Sequence, residues 1–120
     1  MKMFSLASAP IYLAREPIDM RKSIDGLSIW VSQVLGHDPL QGQVFVFTNR
    51  RRDKIKLLQW DRNGFWLSYK RLERSRFSWP VPELGQQVLS LEARQLQWLL
   101  EGLGLEQPRA FQPVRALRVA

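Results

Sequence analysis

Three arginines in succession, Arg50, Arg51 and Arg52, lie inside FTNRRRDKIK (47–56), between two apolar runs. A planar guanidinium engages two oxygens of a phosphate at once, so residue type and crowding both point to polyanion binding. Asn49 opens the run, and Lys54, Lys56, Arg62, Lys70, Arg71, Arg74 and Arg76 continue it. Residues 50–76 hold ten cations against Asp53, Asp61 and Glu73, whereas residues 1–49 and 77–120 each hold four cations and four carboxylates. The entire formal charge of +7 therefore sits in the central stretch. Solubility does not explain this confinement, because evenly mixed acids and bases would dissolve the chain equally well. Trp60, Trp66, Tyr69 and Trp79 are interleaved with the cations. Exposed aromatic rings stack on bases, but strand tryptophans mostly fill cores. The aromatics are therefore assigned to the core and the basic cluster to function.

Other chemistry finds less support. His37, in GHDP, is the one histidine, and no serine or cysteine nucleophile stands at a recognisable spacing from it. The chain has no cysteine, which excludes disulfides, thiol catalysis and thiolate metal sites. The carboxylates are scattered, with Asp19 and Asp25 on a first helix and Asp53 and Asp61 in turns. Each has an ordinary role as cap or turn former. A metal-dependent nuclease would need Asp19, Asp53 or Asp61 to converge in space. The glycines match turns, not a phosphate loop. The reading is a non-catalytic protein without metal or cofactor.

These side chains need elements to hold them. PIYLA (10–14) reads as a short strand. Asp19 can cap a helix in which Met20, Ile24, Leu27, Val31 and Val34 recur at helical spacing, widened by Trp30 and Leu35 and stopped by Gly36. A later start, capped by Ser23, would leave Gly26 near the helix beginning. QVFVFT (43–48) is a strand buried on both faces, and KIKLLQW (54–60) and FWLSYKR (65–71) follow. Asn63-Gly64 between the last two signals a hairpin with positive φ. RFSW (76–79) is expected as a further strand, Val88 and Leu89 as a little extended chain. Ser90 should cap a second helix bearing Leu96, Leu99, Leu100 and Leu103. The expected fold is α+β: a small antiparallel meander of about four to five strands packed against two helices. Both helices are expected on one sheet face, with Lys56 and Lys70 on the other, toward water.

At 120 residues and 45% hydrophobic, the chain has the size and apolar content of one domain. The expected division is one domain over 1–105 and a flexible, thinly patterned tail over 106–120. No apolar run approaches the ~20 residues that span a bilayer. MKMFSLASA has too short an apolar stretch for a signal peptide, so the expected location is the cytoplasm, with no membrane partner.

IYLAREPIDMRKSIDGL, followed by GQVFVFTNRRRDKIKLLQWDRNGFWLSYKRLERSRFSWP, closely resembles the small TnpB-type accessory protein of the IS66 insertion sequences, which are bacterial mobile elements. The resemblance spans residues 11–80. Its most specific part is FTNRRRDKIKLLQWDRNGF, where Lys54 and Lys56 flank Ile55 in place of the family's single, shifted lysine. IDMRKSIDGL resembles the family's Pro-Thr-Asp-Met-Arg-Lys run, with Ile18 where threonine is usual and Asp19 retained as cap. The resemblance implies a role in transposition beside a separate, larger transposase that carries the acidic catalytic residues. The expected function is thus a DNA-binding accessory protein, contacting phosphates of the element ends through Asn49, Arg50, Arg51, Arg52, Lys54, Lys56, Arg62, Lys70, Arg71, Arg74 and Arg76. The alternative is a module that docks this basic face on an acidic surface of the transposase. Exposed sheet edges leave room for a homo-oligomer.

Overall fold

In the computed structural model, residues 9–81 and 83–106 are described. The expected tail therefore lies almost wholly outside the described residues. The elements are β1 (Ile11–Ala14), α1 (Ile24–Gln33), β2 (Val44–Thr48), β3 (Lys54–Asp61), β4 (Gly64–Arg71), β5 (Val88–Leu91) and α2 (Ala93–Leu100). The α+β class holds, and β2–β3–β4 is the expected antiparallel meander. The sheet as a whole is mixed, in the order β4-β3-β2-β1-β5. β1 pairs parallel with β2 and antiparallel with β5. A parallel pair needs a long crossover, and α1 provides it.

β2 organises the core because VFVFT is buried throughout and apolar on both sides. A strand of that kind needs two covers. Phe45 and Phe47, with Leu58, lie under Leu27, Val31 and Leu35 of the α1 region. Val44 and Val46, with Ile11, Leu13, Ile55 and Leu57, lie under Leu96 and Leu99 of α2 together with Phe77 and Trp79. The helices thus sit on opposite faces, not on one as the sequence suggested. A continuous apolar strand required this, and the alternating pattern of β4, an edge strand, obscured it.

Several local expectations are corrected. RFSW forms no strand: Phe77 and Trp79 are core plugs on a chain that crosses the α2 face. The Phe77 N–H donates to the Arg52 carbonyl (2.7 Å), and the Trp79 indole N–H reaches the Ala14 carbonyl (3.2 Å). Trp79 is therefore core, as expected. α1 starts after Ser23, not after Asp19, which places Gly26 in its first turn. Ser90 pairs with Tyr12 inside β5. α2 consequently begins later, capped by Glu92, whose own N–H donates to Gln95 Oε1 (2.9 Å) in a capping box. Leu103 lies beyond α2, 42% exposed. In the β3–β4 hairpin, Asp61 pairs with Gly64, and positive φ falls on Arg62 (57°), not on the glycine.

Candidate nucleic-acid interface

The strand register decides which charges meet. Leu13 pairs with Val46, Thr48 with Ile55, Lys54 with Arg71, and Ala14 with Val88. One end of the sheet therefore collects the connections 15–23, 49–53 and 72–87. Ten cations belong to this end: Arg15, Arg21, Lys22, Arg50, Arg51, Arg52, Lys54, Arg71, Arg74 and Arg76. Its four carboxylates up to Glu73 are all taken locally. Glu16 pairs with Arg15 (3.8 Å), Asp19 with Arg21 (2.6 Å), Asp53 with Lys54 (3.4 Å) and Glu73 with Arg71 (2.8 Å). Arg50, Arg51, Arg52, Arg74 and Arg76 are exposed and have no carboxylate partner among the described residues. Lys22 lies over the Trp30 ring, 5.1 Å from its centroid. α1 begins at this end, and Ser23 places no side chain on its free N–H groups, which adds partial positive charge.

The arginine turn is built stiffly from within. Asn49 Oδ1 accepts the backbone N–H groups of Asp53 (3.2 Å) and Lys54 (3.1 Å), while its Nδ2 donates to Asp53 Oδ1 (2.7 Å). Arg52 N–H returns to the Asn49 carbonyl (3.0 Å), and Thr48 Oγ1 donates to the Lys54 carbonyl (2.9 Å). The Asn49 side-chain bond leads the causes that hold the Asp53 carboxyl below its ordinary range. Arg52 takes a left-handed φ of 61°, disfavoured for a residue with a Cβ. The neighbouring strip is tied on through Leu72 N–H to the Asp53 carbonyl (2.8 Å) and Phe77 N–H to that of Arg52. That bond pair sets Arg74 and Arg76 beside the arginine turn.

The remaining residues expected at the interface fall elsewhere. Lys56 and Lys70 lie on opposite faces, since alternate residues of β3 and β4 alternate sides. Lys56 Nζ donates to the carbonyls of Met20 and Lys22, both at 2.7 Å, and lies 5.8 Å from the Tyr69 ring centre. Lys70 Nζ donates to the carbonyl of Leu100 (2.7 Å), at the carbonyl end of α2. Both ammonium groups hold the fold together around the cationic end. Arg62 stands at the far end of the sheet, in the turn just beyond Asp61, which is seven strand steps from Lys54, or roughly 23 Å. Asp61 is there too, bonded to the Trp66 indole N–H (3.0 Å), so it cannot share one ion with Asp19 and Asp53. His37 packs its ring against Tyr12 and Phe45, with centroids 4.7 and 5.7 Å away. Trp66 and Tyr69 of β4 are exposed, not in the core as the sequence suggested, because β4 is an edge strand, while Trp60 packs edge-on against Phe65.

Composition missed Arg21, because residues 1–49 balance to zero. The parallel pairing of β1 with β2 carries it to the arginine turn, where Ile18 N–H meets the Thr48 carbonyl (2.8 Å). Its guanidinium forks onto Asp19 through Nε and Nη2, and this bond is the leading cause of an Asp19 pKa lowered to about 2. The available signal was the IDMRK run, one of the two segments carrying the family resemblance. Those two segments are spatial neighbours.

The model of the family described as IS66 Orf2 like protein matches residues 9–110. This chain belongs to that family. The IS66 Orf2-like match runs from before β1 to beyond α2, so it includes the region after residue 80, beyond the span of the sequence resemblance. It makes the chain an insertion-sequence accessory protein. Two similar proteins come from Sinorhizobium fredii and are named only as the uncharacterized proteins y4hO and y4jC. The first is 35% identical over 99 residues, covering 82% of this chain and 84% of its own length. The second is 34% identical over 93 residues, covering 78% of each. No solved structure matches the chain. Among the described residues, no helix is long and apolar enough to cross a membrane.

Proposed function

We infer that this IS66 Orf2-like protein binds DNA phosphates through the cationic end of its sheet and so assists transposition without supplying a catalytic group. One observation carries the reading. The carboxylates nearest the arginines, Glu16, Asp19, Asp53 and Glu73, are each engaged by a neighbour, while Arg50, Arg51, Arg52, Arg74 and Arg76 have no carboxylate partner among the described residues. Their charge is available to an external polyanion. Contacts of this kind give affinity and register, and no sequence information. Strand cleavage in this reading belongs to a separate transposase. Lys56 and Lys70 support the fold, and Arg62 lies outside the contact.

The test is an anisotropy titration with insertion-sequence end DNA and an unrelated duplex at several salt concentrations. Neutralising about six phosphates makes log affinity fall with log salt at a slope of about −5. Replacing Arg50, Arg51 and Arg52 together with alanine should flatten that slope by roughly two to three. Unchanged affinity and slope in the triple variant would refute the assignment. Retention of the transposase by the chain after nuclease digestion would move the cationic end to an acidic protein surface.

A further inference from the structure

Between the β1–α1 connection and the arginine turn lies an open hollow of about 400 Å³. Pro17, Ile18 and Met20 form one wall, and Asn49, Arg50, Arg51 and Lys54 form the other. The Ile18-to-Thr48 backbone bond ties the walls at the base. Asp19 also lines the hollow, but Arg21 compensates its charge through the forked contact described above. The Asn49 side chain is spent on the turn and Lys54 pairs with Asp53, which leaves Arg50 and Arg51 as donors to a ligand.

This two-sided lining is more than a phosphate needs. A phosphate on a duplex would be met by the guanidinium groups at the rim, and an aliphatic wall offers it nothing. The same wall suits the flat apolar body of a base. The volume lies within the ~300–1,000 Å³ usual for small-ligand pockets. In a duplex the bases are stacked inward, so only an unpaired nucleotide can turn its base into such a hollow. We propose that the hollow holds one unpaired deoxynucleotide, its phosphate on Arg50 and Arg51 and its base against Pro17 and Met20. The cationic end would then prefer a single-stranded overhang or frayed terminus to continuous duplex. This rests on the DNA-binding reading above.

The experiment uses the full chain and three labelled DNAs of one sequence: a blunt duplex, the duplex with a four-nucleotide overhang, and the duplex with an abasic overhang of equal charge. The expected result is about tenfold tighter binding of the normal overhang than of the other two, the factor for burying one base face against aliphatic carbon. Met20→Ala with Pro17→Ser should remove that preference while keeping the blunt-duplex affinity, which also reports that the variant is folded. Equal binding of all three DNAs, or a preference that survives the double variant, overturns the hollow as a base site and leaves phosphate binding standing. Failure to bind any of the three overturns both.

Discussion

Arg52 joins local strain to an outward charge. A left-handed backbone disfavours any side chain with a Cβ by roughly 1–2 kcal/mol, and glycine returns part of that as lost chain entropy, roughly 0.5–1 kcal/mol. Arg52→Gly should therefore leave the urea midpoint unchanged or slightly raised, while the salt slope of DNA binding falls by about one. A loss of both stability and binding would mean that the arginine is structural. Asp19 offers a second residue-scale measurement. Its folded pKa is depressed to about 2 from 3.8, chiefly by the Arg21 side chain. Sign follows from the direction: the contribution to stability is complete above about 4 and disappears as pH falls toward 2. An NMR titration should place the Asp19 carboxyl midpoint near 2, and Arg21→Ala should return it toward 3.8. A midpoint unmoved by that substitution would show that the fork does not form in solution.

At the scale of elements, the arginine turn depends on Asn49. Asn49→Ala leaves the Asp53 and Lys54 backbone N–H groups without their side-chain acceptor. The expected loss is about 1–3 kcal/mol, read as a lower urea midpoint at constant slope. DNA affinity should fall as well, although no cation has been removed; full affinity with lowered stability would separate turn from binding. This role was not legible in FTNRRRDK, where Asn49 reads as one more polar group among arginines. The strands were legible because the two-residue period of KIKLLQW and FWLSYKR, and the unbroken VFVFT, report how each face is covered. RFSW misled, since alternating Phe77 and Trp79 look the same on a strand as on an irregular chain pinned by two aromatic plugs. Of the two starts open for α1, the structure takes the later one, after Ser23, with Asp19 engaged by Arg21 instead; the start of α2 slipped because the β5 pairing claimed Ser90. The charge cluster was legible as composition. Which of its members face one way was not, because that depends on the β1–β2 register and on carbonyls that capture Lys56 and Lys70.

For the whole molecule, the consequence is polarity along the strands. Cations crowd one end, while the other carries Arg62 beside Asp61. The separation of roughly 23 Å between Lys54 and the β3–β4 turn is nearly three Debye lengths at physiological salt, where the screening length is ~8 Å. A charge change at Arg62 is therefore almost invisible to a ligand held at the arginine turn, and the same change inside the turn is not. Arg62→Glu and Arg51→Glu alter net charge identically, so any effect of total charge on non-specific attraction is equal in the two. Arg51→Glu should weaken DNA binding by at least about tenfold at roughly 0.15 M salt, because it removes one phosphate contact and places a carboxylate against the backbone. Arg62→Glu should change affinity by less than about twofold. Equal weakening by both would mean that DNA lies along the strands and touches the two ends together.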